Sequence, residues 1–257
     1  MLQISNLSLP VGGDGALLRQ KAAKALGVRP DDILELSLCR QSIDARKKSD
    51  VHLVCTVRAT LGAEQEAAVL RRAPRGVAAA VDAPYVPPVP ARAPALPPAV
   101  VGMGPAGLFA ALTLARAGLR PVVLERGRDV DQRAMDVERF WSAGALSPVS
   151  NVQFGEGGAG AFSDGKLTTG VNDPRVAHVF DIFVSHGAPG DIKWSHKPHI
   201  GTDVLRGVVK SIRRELLSLG AEVRFGHQLT GLAQAGGRLA GVNVQADAGA
   251  YFLPCGA

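Results

Sequence analysis

The chain has 257 residues, 46% of them hydrophobic, which suits one large domain or a small one plus a medium one and excludes wholesale disorder. No apolar run is long enough to span a bilayer, and Met1-Leu2-Gln3-Ile4-Ser5 lacks a basic segment ahead of an apolar core, so the expected location is cytoplasmic. The net charge of +6 favours anionic ligands, but the basic run Arg46-Lys47-Lys48 has no aromatic residue interleaved with it. It reads as a solvated hairpin tip, and no nucleic-acid partner is expected. Cys39, Cys55 and Cys255 are odd in number and far apart, which points to reduced structural thiols rather than a disulfide framework or a zinc site.

Residues 1–81 read as β-α-β-β-α-β. A strand opens at Leu2-Gln3-Ile4, and Asp14 caps a helix running through Leu18, Ala22 and Leu26 to Gly27. Strands follow at 33–40 and 51–61, then a short helix over 64–72 stopped by Pro74, then a last strand over 77–81. That order is the ferredoxin-like split β-α-β pattern, which hosts many functions and names none of them. Residues 82–98 hold seven prolines, among them Pro87, Pro88, Pro97 and Pro98, and almost no charge, so they read as a semi-rigid extended linker.

The next stretch organises the rest. Val100-Val101 leads into Gly102, Gly104 and Gly107, at the spacing where the first makes a tight turn, the second lets backbone approach a pyrophosphate and the third packs helix on strand. The helix carries Leu108, Ala111, Leu112 and Ala115 on one face and closes at Gly118; its N-terminus offers free N–H groups to an anion. Glu125 ends the following strand about twenty residues after the glycines, where a carboxylate accepts both hydroxyls of an adenosine ribose. An adenine dinucleotide is the expected ligand; an ordinary tight strand-helix turn is the structural alternative.

A charged segment, helical from Val130, precedes a second unusual stretch, Asn151 to Lys166, too glycine-rich for a helix or a regular strand. Its backbone N–H groups could form an anion nest, Ser163 could donate to a phosphate or ring carbonyl, and Lys166 could sit near developing negative charge. The alternative is a flexible surface loop. Asp173-Pro174 starts a helix ended by Gly187, and Thr202 is expected to cap a longer one that buries Val204, Val208, Ile212, Leu216 and Leu219. His196 and His199 flank Pro198, which breaks the helix that would align them, so no metal site is expected. Strands over 221–225, 228–233 and 239–245 follow, with a Gly236-Gly237 turn before the last.

These residues resemble flavoproteins of the glutathione-reductase-like, two-dinucleotide-binding superfamily, and more closely a bacterial group of uncharacterised FAD-dependent dehydrogenases. The carrying stretches are 100–127, 151–169, 197–203 and, in the leading domain, 42–48. The resemblance implies an α/β chain: a ferredoxin-like α+β domain over 1–81, the linker 82–98, and a Rossmann-like FAD-binding domain over 99–257 built from β-α-β plus a β-meander. It also implies that Gly102, Gly104, Pro105, Ala106 and Gly107 bind the FAD pyrophosphate, Glu125 the ribose, and that Arg126 flanks the adenine. The loop holding Gly157, Gly158, Ser163, Gly165 and Lys166 would approach pyrophosphate, ribityl chain and isoalloxazine, and Leu229 would offer backbone to adenine. The function implied is an FAD-dependent oxidoreductase, with NAD(P)H a candidate electron partner and a small-molecule substrate.

The residues leave two competitors, a non-catalytic nucleotide-binding or interaction module and a plain NAD-dependent dehydrogenase. The second glycine-rich loop and the meander speak against the latter. No catalytic base can be named, although Lys166, Ser163 and His199 are candidates. Such flavoproteins close the nucleotide sheet with a final apolar strand and continue into a substrate domain. Here Phe252-Leu253-Pro254-Cys255-Gly256-Ala257 only imitates that strand, so the expectation is an FAD domain incomplete at its C-terminus.

Overall fold

The computed structural model describes every residue except Asp82, Asp164, Asn172 and Ala257. It is a mixed α/β fold whose described residues form three sheets. Contacts divide the chain into two units, one of Met1–Tyr85, Leu167–Asp181 and Gly190–Pro198, the other of Val86–Lys166, Ile182–Pro189 and His199–Ala257.

In the first unit β1 (Leu2–Pro10), α1 (Gly15–Leu26), β2 (Glu35–Asp44), β3 (His52–Thr60), α2 (Ala63–Arg72) and β4 (Val77–Ala79) follow one another. The strands form one antiparallel sheet in the order β2-β3-β1-β4. Alternation in β1, reset by an irregularity between Ile4 and Leu7 where Asn6 has φ +61°, buries Leu2, Ile4, Leu7 and Leu9 against the face of α1 carrying Leu18, Ala22, Ala23 and Leu26. Helix α1 starts where the Asp14 side chain accepts the Leu17 N–H at 2.9 Å and stops at Gly27, φ +66°. The register of β2 shifts between Leu38 and Arg40, leaving Cys39 as a bulge. The outer edge of β2 is bridged at one residue: the Gln41 N–H donates to the Trp194 carbonyl at 2.8 Å and the His196 N–H to the Gln41 carbonyl at 3.0 Å.

The second unit is built on a parallel sheet, β5 (Ala99–Val101), β6 (Val122–Glu125) and β7 (Glu222–Phe225), in that order. All four residues of β6 are buried, as the middle strand of a covered parallel sheet should be. Helix α3 (Pro105–Arg116) links β5 to β6 and buries the four apolar residues expected of it, Leu108, Ala111, Leu112 and Ala115. Helix α4 (Val130–Ala143) follows β6; α5 (Pro174–Ser185) is divided between the units, and α6 (Thr202–Ser218) packs against α3. An antiparallel meander of β8 (Gln228–Ala235), β9 (Arg238–Ala246) and β10 (Gly249–Pro254) joins the core, with Val242, Val244 and Leu253 meeting Val122 and Leu124.

Three local expectations are corrected. Leu219, expected on the buried face of α6, is its C-cap and is exposed. Gly201, not Thr202, occupies the N-cap of α6, and no side chain caps that end. Phe252-Leu253-Pro254 is the third meander strand, hydrogen-bonded to β9, and Pro254 stands at its last position, where a missing N–H costs least. Beyond it Gly256 meets the parallel sheet through one bridge to Pro98.

Candidate functional site

The parallel strands deliver Val101, Glu125 and Phe225 to one edge of the sheet, the carboxyl ends beside which open α/β sheets bind ligands. The turn after β5 is held in a conformation that only glycine adopts freely, with Gly102 at φ +88° and its N–H donating to the Leu124 carbonyl at 2.7 Å. A Cβ on Gly107 would stand 1.9 Å from the Gly102 carbonyl oxygen, so α3 sits directly on the turn. Gly104 differs. A Cβ there would have its nearest neighbour, the Gly158 Cα, at 4.0 Å, so the protein itself does not demand glycine at that position. Gly104 is the N-cap of α3 and supplies no side chain, and Pro105 at the first helical position has no N–H to satisfy. The amides of Ala106 and Gly107 are among the helix-start donors that an anion can take.

Glu125 is 5% exposed, and both its oxygens are in use. Oε2 accepts the Met103 N–H at 2.6 Å, and Oε1 accepts the Gly127 N–H at 2.7 Å. An ionised carboxylate has about four acceptor positions, so about two remain for hydroxyl donors. Glu125 lines a cavity of about 490 Å³ together with Gly102, Gly104, Arg126, Gly158 and Leu229. That volume lies in the range of small-molecule and cofactor sites. The Arg126 guanidinium lies 3.7 Å over the Phe154 ring, and Phe154 also lines the cavity. His227 and Gln228 join it where the chain leaves β7; the His227 N–H donates to the Glu125 carbonyl at 3.0 Å, and its Nδ1 donates to the Phe225 carbonyl at 2.8 Å.

The second glycine-rich stretch is organised by Arg133 of α4, which is fully buried. Its Nε donates to the Asn151 carbonyl at 2.8 Å, Nη2 to Val152 at 2.9 Å, and Nη1 to Glu156 at 2.7 Å and Gly158 at 2.8 Å. Burial pulls this guanidinium down to about 10, against the opposing charges of Glu125 and Glu156. Gly155 makes room for it, since a Cβ there would stand 2.6 Å from the Arg133 Cδ. The loop is also tied to the first turn. The Gly157 N–H donates to the Met103 carbonyl at 2.8 Å, and a Cβ on Gly158 would meet the Pro105 Cδ at 2.9 Å. Glu156 itself is buried, accepts the Val130 N–H at 2.8 Å and lies 3.3 Å from the Arg213 guanidinium. Burial nevertheless pushes its carboxyl above the usual range.

Of the residues singled out from the sequence, Gly102, Gly104, Glu125, Arg126, Gly158 and Leu229 line one cavity. Pro105 and Ala106 open α3 next to Gly104, Gly107 packs behind Gly102, and Gly157 braces the loop. Ser163 lies 3.5 Å from the Gly160 carbonyl. Gly165 and Lys166 pair instead with the segment before α6: the Ile200 N–H donates to the Gly165 carbonyl at 2.9 Å, Lys166 bridges to His199, and neither lines the cavity. Sequence reasoning missed Gln153, His227, Gln228 and the brace Arg133. The signal for His227 and Gln228 was available, because they follow a third strand at the edge where ligands bind. Arg133 gave none, being one arginine among the polar residues of a charged helix.

Residues 1–60 match a family described as a domain of unknown function, DUF8436. The chain is 43% identical over 245 residues to an uncharacterised protein of Clostridium beijerinckii, a match covering 95% of this chain and 46% of that protein. It thus spans about half the length of the curated relative it matches. Among solved structures it is similar to a 3-ketosteroid-Δ4-(5α)-dehydrogenase from Rhodococcus jostii RHA1 (15% identity, TM-score 0.41, covering 62% of this chain and 44% of that one). It is also similar to THI4 from Thermovibrio ammonificans (17% identity, TM-score 0.38, 62% and 54%). A third is the OxyS anhydrotetracycline hydroxylase from Streptomyces rimosus (21% identity, TM-score 0.38, 62% and 30%).

Proposed function

We propose that the second unit binds FAD and that the chain belongs to a flavin-dependent oxidoreductase. The observation that carries this reading is Glu125, a buried carboxylate with acceptor positions to spare, in one cavity with a glycine turn whose Gly104 has no structural reason to be glycine. A pyrophosphate approaching the backbone supplies that reason. In this reading the turn from Gly102 to Gly107 holds the pyrophosphate, Glu125 the ribose hydroxyls, and Arg126 and the Leu229 backbone flank the adenine. The braced loop with Gly157 and Gly158 lines the way toward the flavin, and Ser163, Gly165 and Lys166 lie further along it. A plain NAD-binding unit would continue from β6 with alternating helix and parallel strand. Here the Arg133-braced loop and the meander β8-β9-β10 intervene, which favours FAD.

Bound flavin supplies hydride or electron transfer; the residues of this chain position it, satisfy its polar groups and exclude water. NAD(P)H is the proposed electron partner, and the substrate is a small molecule. The domains follow the same reading. Residues 1–81 form a ferredoxin-like domain, supported by the strand order β2-β3-β1-β4. Residues 82–98 link it to a Rossmann-like domain over 99–257, supported by the parallel β5-α3-β6 unit.

The test is an absorbance titration of the purified chain with FAD, followed by a mild reductant, with circular dichroism to establish folding. The expected result is near-stoichiometric flavin absorbance that bleaches on reduction. A folded chain that takes up no FAD would overturn the reading, and bound flavin that resists reduction would make the chain a nucleotide-binding module instead.

A further inference from the structure

A second cavity, of about 430 Å³, lies within the first unit, against the bulge of β2. Opposed residues of paired strands share a face, and Leu38 stands opposite the buried Val57. In a regular ladder Arg40 would then stand opposite Cys55, which is also fully buried, and its guanidinium would be aimed at the core. The extra residue at Cys39 moves Arg40 opposite Thr56 and off that face, into the lining of this cavity. Arg40 is met there by the segment that pairs with the strand edge. Its Nη2 lies 3.3 Å from the His196 Nδ1. A guanidinium only donates, so His196 Nδ1 accepts and the ring proton sits on Nε2, a second donor. The hydroxyl residues Thr168, Thr169 and Ser195 line the same space, whereas no carboxylate does among the described residues. Lys193, the remaining lining cation, is paired with Asp181 at 2.5 Å. The apolar part of the lining includes Leu167, Val176, Phe180, Ile192, Trp194 and Pro198.

We propose that this cavity binds a small organic carboxylate, with Arg40 and His196 holding the carboxylate and Trp194, Phe180 and Val176 its apolar body. The guanidinium fork matches a carboxylate in plane, and the mixed lining suits a ligand with one charged end. The proposal is independent of the FAD reading, since every lining residue belongs to the first unit.

The chain has two tryptophans, so in a Trp141→Phe variant of the full chain the fluorescence reports Trp194 alone. Benzoate, benzyl alcohol and inorganic phosphate are titrated in turn. The expected result is a saturable change with benzoate, weaker by about tenfold or more in Arg40→Met, as the loss of one charge-assisted contact implies, and partly restored in Arg40→Lys. Benzyl alcohol binding as well as benzoate, phosphate binding more tightly than benzoate, or no saturable change with benzoate would each overturn the proposal. Those three comparisons use Trp141→Phe alone, so they decide the matter even if an Arg40 variant does not fold. An Arg40→Met chain that folds and binds benzoate unchanged overturns it too.

Discussion

The Glu125 carboxylate accepts the Met103 N–H at 2.6 Å, so the acid at the end of β6 fixes the glycine turn after β5 before any ligand arrives. Glu125→Gln keeps the size but offers one acceptor oxygen where two backbone N–H groups need one each. We expect a loss of about 1–3 kcal/mol in urea unfolding, the cost of one buried donor left unpaired, along with weaker FAD uptake. An unchanged unfolding midpoint would show that the two amides find other partners.

Gly104 and Gly107 should separate binding from folding. Gly104 has ordinary φ, −71°, and open space around it, so Gly104→Ala should leave the melting temperature nearly unchanged while FAD uptake falls. Gly107→Ala drives a methyl into the Gly102 carbonyl and should cost about 1–3 kcal/mol or more in stability. Equal effects of the two on stability would contradict the contacts described.

Arg133→Met removes a buried cation and leaves the carbonyls of Asn151, Val152, Glu156 and Gly158 short of a donor. The expected loss is about 3–5 kcal/mol, and limited proteolysis should begin to cut between residues 151 and 158. Resistance of that loop to protease in the variant would mean that its turns hold without the arginine.

Glu156 predicts a pH effect of definite sign. Burial raises its folded-state pKa above the ordinary 4.5, so the native state binds the proton more readily than the unfolded chain does. Its contribution is therefore most favourable below the unfolded value and is lost as pH rises through the folded one. Glu156→Gln removes that loss while keeping an acceptor for the Val130 N–H. The stability of the variant minus that of the parent chain should increase with pH above about 4.5, measured by urea unfolding across the range. A difference that is flat or decreases with pH would sink the assignment.

The sequence revealed what depends on local pattern. Val100-Val101 and Val122-Val123-Leu124 are β-branched or apolar runs around a helix of period 3.6, and the structure buries the helical residues that the spacing selects. Asp14 and Gly27 end α1 where their chemistry says they should. What stayed hidden depends on partners distant in the chain. The period-two pattern from Leu34 runs straight through Cys39, yet Leu34 is 69% exposed ahead of β2 and the ladder slips at Cys39, because β3 rather than the strand itself sets the register. The hydroxyl of Thr202 suggests a cap, and Gly201 takes the position without one. Phe252-Leu253-Pro254 is apolar enough for either sheet, and pairing with β9 decides between them. At the site the glycines and Glu125 were visible as types at a spacing, whereas Arg133 acquires its role only from the carbonyls the fold brings to it.

The edge of β2 has a consequence for how the chain is made. Arg40 and His196 are 156 residues apart, and the pairing of Gln41 with the Trp194–His196 segment spans nearly the same interval. At about 5–20 residues per second, a ribosome delivers that segment roughly 8–30 s after β2 has emerged. Throughout that interval the Gln41 N–H and C=O at that edge wait for their partners, a place where another chain can add. The first unit therefore completes its bridge at Gln41 only once residue 196 has been made.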